Sequence, residues 1–168
     1  MTAYWTTHAG PLGALLLTCD ATGALTSLTV PGAPGAKGVP APGAVHDEAP
    51  FAQARHELDE YFAGDRDHFT LRLGTPPATP FRARVWAALD EIPYGTIVSY
   101  GQLAARIGAT RPAVRAVGGA VGANPLLVVR PCHRVVGADG SLTGYAGGLE
   151  RKTWLLGLEG ARTAAPTG

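Results

Sequence analysis

The chain has few cysteines, almost no net charge and no long apolar segment, and each shortage excludes a class of protein. Its 168 residues include two cysteines, Cys19 and Cys132, and because the chain shows no secretion signal we expect both to be free thiols. The longest apolar run is a handful of residues, whereas a membrane-spanning helix needs roughly 20. A soluble, cytoplasmic protein with no membrane partner is therefore predicted.

The net charge of +1 is too small to identify a nucleic-acid binder, but the charge is unevenly distributed. Residues 1–81 carry four basic and eight acidic side chains, a formal charge of −4, whereas residues 82–168 carry ten basic and five acidic ones, a charge of +5. The second half therefore suits a surface that faces a polyanion with modest, salt-sensitive affinity. The hydrophobic content of 46% is enough for one compact domain or two small ones.

The first half, residues 1–78, is predicted to be a small α+β support domain. Residues 3–30 alternate apolar and polar positions between turns, which predicts an antiparallel sheet. Residues 31–50 are rich in proline and glycine and are predicted to form a mobile loop. A helix stopped by Gly64 and a strand over Phe69–Leu73 complete this half. The sheet positions expected in the core are Tyr4, Leu15, Leu17, Leu25, Leu28 and Val30.

Two residues of the predicted sheet, His8 and Cys19, are of types that bind zinc. A zinc site generally needs four ligands, and no others are evident nearby in the sequence. We therefore interpret Cys19 as a small core residue and predict no metal site.

The second half, residues 79–160, is predicted to be mostly helical. A threonine-proline step at 79–80 begins one helix, and Ser99 with Gln102 forms a capping box that begins another. A further helix over residues 111–122 completes a helix-turn-helix, in which the second helix normally contacts DNA. The same pattern also occurs in plain helical hairpins.

Gly118 and Gly119 lie inside the predicted second helix of this pair, where a glycine costs about 1 kcal/mol relative to alanine. Two interpretations account for such a cost. Either the helix backbone approaches DNA closely, or it packs tightly against a neighbouring helix. Arg115 is the main charge of this helix.

The stretch from Arg130 to Val136 places Cys132 beside His133 and between two arginines. Positive charge and a general base lower the pKa of a thiol and make it nucleophilic. Valine pairs on both sides predict short buried strands, in which adjacent side chains point to opposite faces. His133 would then reach the sulfur only through a bend or a bridging water. A cysteine among valines also fits an inert core residue.

The end of the chain is predicted to hold a hairpin turn at Asp139-Gly140 and a flexible loop over residues 144–148. A last helix through Leu149–Leu158 and a disordered tail over residues 161–168 follow.

Seven short motifs make the chain resemble the O6-alkylguanine-DNA alkyltransferases from about Thr79 to Gly160, and they occur in that family's order. The first half resembles the family only loosely. The motifs are Ile92-Pro-Tyr-Gly-Thr96, Val98-Ser-Tyr-Gly-Gln-Leu-Ala104, Arg115-Ala-Val-Gly-Gly-Ala120, Asn124-Pro125, Pro131-Cys-His-Arg-Val135, Gly144-Tyr-Ala-Gly-Gly148, and Trp154-Leu-Leu156 followed by Glu159.

The resemblance implies an α+β fold, with a small N-terminal antiparallel-sheet domain and a mostly helical C-terminal domain that contains the helix-turn-helix. It implies direct-reversal repair by a monomer without a cofactor, in which an alkyl group moves once and irreversibly from O6-alkylguanine in duplex DNA to Cys132 after base flipping. O4-alkylthymine is an alternative substrate. In this family the recognition helix lies in the minor groove, and the arginine that matches Arg115 fills the base stack.

The resemblance also assigns roles to residues. His133, oriented by Glu159, would take the thiol proton through a water, Tyr100 would assist the leaving oxygen, and Asn124 would brace the turn. The catalytic residues implied are Cys132, His133, Glu159, Tyr100 and Asn124. The DNA-binding residues implied are Arg115, Ala116, Gly118, Gly119, Arg134 and Tyr100. The substrate pocket implied consists of Tyr145, Ala146, Gly147, Val135 and Val121.

One departure from the family bears on specificity, because Ala146 stands where some relatives carry a serine that contacts the guanine oxygen. Two other functions remain open. A recognition protein that binds lesions without repairing them would lack the cysteine. An unrelated cysteine hydrolase would turn over repeatedly and would need no DNA-binding helix.

Overall fold

The computed structural model describes residues 2–33, 40, 42–74 and 78–161, and its N-terminal half is built on one sheet. β1 (Tyr4–Gly10), β2 (Gly13–Cys19) and β3 (Leu25–Thr29) form the antiparallel meander that the alternating pattern predicts. A short strand, β4 (Val45–His46), pairs in parallel with β1, so that the sheet has the order β3-β2-β1-β4.

Part of the segment predicted to be a mobile loop is regular structure. β4 and the first two residues of a 3₁₀ turn over Ala49–Phe51 fall within residues 31–50, because Phe51 is buried and the Asp47 amide donates to Trp5 O on β1. That prediction is wrong for these residues. Residues 34–39 and 41 lie outside the described part of the chain, as do residues 162–168 of the predicted tail.

Helix α1 (Ala52–Phe62) packs on the sheet and ends before Gly64, which has a positive φ of 82°. Five of the six predicted core positions of the sheet are buried, and Tyr4 is partly exposed. The predicted strand over Phe69–Leu73 is absent from this described segment, where only Leu73 forms an isolated bridge, to Leu25.

His8 faces α1 and is not placed for metal binding. Its Nε2 is 2.7 Å from Asp59 Oδ1, and Arg55 Nε donates to its Nδ1 at 3.3 Å. Cys19 is buried in the hydrophobic core. Within the described residues, no cluster of three or more histidine, cysteine or acidic side chains is arranged to hold a metal ion.

Four helices build the C-terminal half: α2 (Pro80–Asp90), α3 (Tyr100–Arg106), α4 (Val114–Gly122) and α5 (Leu149–Leu158). Thr79 caps α2 by accepting from the Arg82 amide, and Ser99 with Gln102 forms both hydrogen bonds of the predicted capping box at α3. A 3₁₀ turn over Arg111–Ala113 leads into α4, so α3 and α4 form the predicted helix-turn-helix.

The strands β5 (Val98–Ser99) and β6 (Val135–Val136) pair in parallel and connect the start of α3 to the segment after Cys132. The other predicted valine strand is wrong, because Val128 and Val129 lie in a turn. The predicted Asp139-Gly140 step does form a turn, but no returning strand pairs with β6 there, so the predicted hairpin is also wrong.

The two halves meet at the turn that precedes the cysteine. The Leu28 amide at the edge of β3 donates to Pro125 O at 2.8 Å, and the Leu127 amide donates to Leu28 O at 3.1 Å. These paired backbone bonds extend the N-terminal sheet by one isolated bridge into the C-terminal half. The sheet therefore supports the backbone that carries Cys132.

Candidate active site

Asn124 holds the turn that leads to Cys132. Its Nδ2 donates to Leu126 O at 3.3 Å and to Arg130 O at 3.1 Å, while its Oδ1 accepts from the Leu126 amide at 3.0 Å. One buried amide side chain thus satisfies backbone groups at both ends of the turn. The bracing role predicted for Asn124 agrees with these contacts.

Val128 lies inside this turn with a φ of 70°, in the left-handed region that a β-branched residue rarely adopts. Such a conformation costs roughly 1–2 kcal/mol. The strain is retained because the Arg130 amide bonds to Leu126 O at 2.9 Å and Asn124 fixes the same carbonyl from the other side. The turn then delivers Cys132 into a 3₁₀ turn over Cys132–Arg134.

Cys132 is almost fully buried and opens onto a cavity of about 280 Å³ between α3, α4 and the loop before α5. The cavity is small, concave and largely apolar, as expected of a site for one flat ring system. It is lined by Tyr100, Gly118, Val121, Gly122, Cys132, Gly144, Tyr145 and Ala146.

The thiol of Cys132 is not activated by its surroundings alone. Burial raises its pKa to about 11, and the Asn124 side chain, Lys152 and Arg130 offset only part of that rise. The prediction of a lowered pKa for this thiol is therefore wrong, because desolvation of the thiolate outweighs the lowering effect of Arg130. The resting group is a neutral thiol, which needs a base to become a nucleophile.

His133 is the base closest in sequence, and its ring is fully buried. Its Nε2 lies 2.8 Å from Glu159 Oε2. Because Glu159 is ionised, Nε2 carries the proton in this bond, and Nδ1 keeps a lone pair that has no hydrogen-bond partner in the described part of the chain. Burial lowers the pKa of His133, so the neutral form prevails. The 3₁₀ turn provides the bend that the sequence required between Cys132 and His133.

Arg134 belongs to the Glu159 cluster and not to the surface. Its Nε donates to Glu159 Oε1 at 2.7 Å, its Nη2 donates to Oε2 at 2.8 Å, and its Nη1 donates to Ile92 O. These bonds and the His133 bond hold the pKa of Glu159 far below its ordinary value, although burial acts in the opposite direction. The prediction that Arg134 contacts DNA is wrong, because its guanidinium is buried and occupied.

α4 presents one exposed face and one buried face. Arg115, Ala116 and Gly119 are exposed, while Val117, Ala120 and Val121 point into the core. A Cβ added to Gly119 would meet no atom within 4 Å, and one added to Gly118 would lie 3.9 Å from the Tyr100 ring. Tight packing between helices therefore does not explain the glycine pair, which lies along an open part of the surface.

Not every residue predicted for the pocket lines it. Tyr145, Ala146 and Val121 do, whereas Val135 is fully buried behind the site. Gly147 lies under the Tyr145 ring, where a Cβ would come within 2.6 Å of that ring. Tyr100 lines the cavity, and its hydroxyl donates to Thr143 O at 3.2 Å.

Lys152 and Tyr61 are two buried polar residues that the sequence reasoning missed. Lys152 Nζ donates to Val135 O at 2.6 Å, Thr143 O at 3.0 Å and Gly144 O at 3.3 Å, and so links β6 to the loop that carries Tyr145. Burial lowers the pKa of Lys152 to about 8. The sequence spacing could have revealed Lys152. It begins a buried stripe that continues through Leu155 and Leu156 to Glu159, the C-cap of α5.

Two family models match most of the chain. Residues 3–75 match the 6-O-methylguanine DNA methyltransferase ribonuclease-like domain, and residues 80–161 match the DNA-binding domain of the same family. The chain belongs to the 6-O-methylguanine DNA methyltransferase family.

Relatives within this family are similar over most of the chain. A methylated-DNA–protein-cysteine methyltransferase of Methanosarcina acetivorans is 43% identical over 159 residues, which is 94% of this chain and 99% of the relative. One from Mycobacterium tuberculosis H37Rv is 50% identical over 119 residues, 71% of each chain. The crystal structure of M. tuberculosis OGT in complex with DNA superimposes with a TM-score of 0.86 at 40% identity and covers 97% of this chain and 96% of that one.

The buried Glu159 carboxylate should stabilise this methyltransferase fold strongly. Replacing it in Glu159→Gln leaves the buried Arg134 guanidinium without its counter-charge, and we expect the free energy of unfolding at pH 7 to fall by about 3 kcal/mol in chemical denaturation. Because the pKa of Glu159 is depressed in the folded state, its contribution is lost as pH falls below the ordinary value of 4.5. The difference in the free energy of unfolding between Glu159→Gln and wild type should therefore become smaller at acidic pH.

Glu150→Gln makes the same change on an exposed part of α5 and should cost less than about 1 kcal/mol. Equal costs for the two variants would contradict the role of the buried carboxylate.

Proposed function

We propose that this chain repairs DNA by transferring the alkyl group of O6-alkylguanine to Cys132. The main support for this proposal is that Cys132 lines the cavity of about 280 Å³ beside α4. The buried His133–Glu159 pair includes the residue that directly follows Cys132. Transfer of a methyl group from damaged guanine in DNA to a protein cysteine is the activity of the family. The acceptor residue, base flipping and single turnover are the parts proposed for this chain.

His133 would take the thiol proton through a bridging water, since it directly follows Cys132 and its Nδ1 has no hydrogen-bond partner among the described residues. The sulfur then attacks the alkyl carbon, so that the S–C bond forms as the C–O bond breaks. The electron pair of the broken bond stays on guanine, which accepts a proton. Tyr100 lines the cavity and would donate to the leaving oxygen once its hydroxyl releases Thr143 O. The product thioether is stable, so each molecule reacts once.

The cavity would hold the base after it rotates out of the duplex. Tyr145 and Val121 offer apolar surface for a flat ring, and the backbone of Gly144 to Ala146 offers polar groups for its edge. Ala146 supplies no hydroxyl, so recognition of the guanine oxygen would rely on backbone amides. We expect the same pocket to admit O4-alkylthymine, which carries its alkyl group on a smaller ring.

The exposed face of α4 would contact the DNA, with Arg115 inserted into the base stack and Ala116, Gly118 and Gly119 against the backbone. Residues 79–160 would thus carry both binding and chemistry, with residues 1–78 as their support, in a cytoplasmic monomer that meets its DNA without another protein. No helix within the described residues has the length and apolar character needed to cross a bilayer.

Intact-protein mass spectrometry tests the transfer. After mixing with duplex DNA that contains O6-methylguanine, we expect wild type to gain one methylene mass, mapped to Cys132, and to stop after one equivalent. Cys132→Ala should gain nothing, and Cys19→Ala should react like wild type because Cys19 is buried in the other half.

Tight binding to the lesion without any mass gain would replace this proposal with recognition alone. Many turnovers without modification would indicate a different enzyme.

Replacing Arg115 by alanine tests base-stack insertion. Arg115→Ala should slow repair of duplex DNA at least tenfold, because the gap in the stack is no longer filled, while reaction with free O6-alkylguanine base changes little. Arg82→Ala removes the same charge from an exposed position of α2. It should leave the ratio of the duplex rate to the free-base rate unchanged. Equal losses toward duplex and free base in Arg115→Ala would refute insertion.

Gly119→Ala separates stability from binding. An alanine fits the open space at Gly119 and should raise the free energy of unfolding by about 1 kcal/mol, yet its methyl group should weaken duplex binding by holding the DNA backbone away. Gly157→Ala on α5, where the surroundings are equally open, should stabilise similarly and leave the duplex Kd unchanged. An unchanged Kd in Gly119→Ala would contradict close approach of DNA at this site.

A further inference from the structure

The buried carboxylate of Glu159 has a donor from the other half of the chain. Tyr61, near the end of α1, donates its hydroxyl hydrogen bond to Glu159 Oε2, the same oxygen that accepts from His133 Nε2 and Arg134 Nη2. Three donors therefore converge on one carboxylate oxygen in a site without solvent access. A change in any one of them alters the charge available to the other two.

The position of Tyr61 is fixed by packing. Its side chain is buried, and its ring centroid lies 5.2 Å from that of Phe69, 5.6 Å from that of Phe62 and 6.1 Å from that of Tyr94. A rigid aromatic cluster thus aims the hydroxyl at the carboxylate. Burial and the neighbouring Glu159 raise the pKa of Tyr61, so the phenol stays protonated and acts only as a donor.

We propose that Tyr61 is a positioning residue for the transfer reaction, through which the N-terminal half sets the orientation and basicity of His133 by way of Glu159. This inference rests on the proposed transfer to Cys132. By donating to Oε2, the phenol withdraws negative charge from the carboxylate that faces the imidazole. It also fixes the oxygen at a single place, so that His133 keeps its proton on Nε2 and its lone pair on Nδ1.

The alternative is a packing role, in which Tyr61 donates to Glu159 only because a buried hydroxyl needs a hydrogen-bond acceptor. The neighbouring Phe62 occupies the same cluster without a hydroxyl, so aromatic packing there does not require a phenol. A packing role predicts no effect on the titration of His133. A positioning role predicts that this titration moves.

Several charged and titratable groups face the Glu159–His133 pair. Four residues face Glu159. Tyr61 lies on α1 and Tyr94 on the segment after α2, while His133 and Arg134 lie on the 3₁₀ turn. His133 additionally faces Lys152 from α5 and the ring of Tyr145 at 6.5 Å between centroids. Of these, only Tyr61 comes from the N-terminal half.

Tyr61→Phe removes only the hydroxyl, and the test is its single-turnover rate of methyl transfer from duplex DNA against pH. We expect an approximately tenfold slower transfer at neutral pH, because a hydrogen bond to a charged group is lost. The acid limb of the rate profile should move to higher pH, because the unshielded carboxylate stabilises the protonated imidazole. The duplex Kd should not change.

Tyr94→Phe is the matched control, because it removes a phenol from the same aromatic cluster whose hydroxyl bonds to Leu158 O at 3.4 Å and not to Glu159. It should transfer within twofold of wild type and keep the acid limb in place.

Incorporation of 3-fluorotyrosine at position 61 tests the same idea while it preserves the hydroxyl, the ring and the fold. Its more acidic phenol donates a stronger hydrogen bond, so the acid limb should move to lower pH, opposite to Tyr61→Phe. This measurement stands even where Tyr61→Phe folds poorly.

The positioning role would be overturned if the acid limb of the rate–pH profile stayed in place both in folded Tyr61→Phe and in the fluorotyrosine protein. Failure of the proposed function would be seen differently, because wild-type protein would then show no gain of methylene mass at Cys132.

Discussion

The ionised carboxylate of Glu159 is the interaction on which the site depends. It accepts from His133 and Arg134 of the 3₁₀ turn and from Tyr61 of α1, so it connects the segment that carries Cys132 to the other half of the chain. A buried charge is costly unless its hydrogen-bonding capacity is filled, and here four side-chain bonds and one longer bond from the Gly95 amide, at 3.5 Å, fill it. The carboxylate thereby organises the backbone around it as well as the imidazole.

The state of the thiol follows from the same burial. Cys132 has a pKa of about 11, so at neutral pH it is a protonated and weakly reactive group. A permanently activated thiolate would react with other electrophiles, whereas a buried neutral thiol becomes a nucleophile only when a base removes its proton.

The division of the chain into support and chemistry is less sharp than its two halves suggest. The N-terminal sheet continues by one bridge into the turn before the cysteine, through Leu28 and Leu127, and Tyr61 reaches the carboxylate. The strained turn at Val128 is held between this bridge and the Asn124 amide. Both halves are therefore needed to place one sulfur atom beside one cavity.

The sequence by itself determined the elements whose signals are local: the meander of β1–β3, the caps at Thr79 and Ser99, the helix-turn-helix and the Cys132-His133 step. Their causes are periodicity and side-chain bonds to backbone groups within a few residues. The tertiary structure alone decided the raised pKa of Cys132, the burial of Arg134, and the meeting of Tyr61 with Glu159 across 98 residues. Desolvation and long-range hydrogen bonds depend on which surfaces are covered, and no local pattern records that.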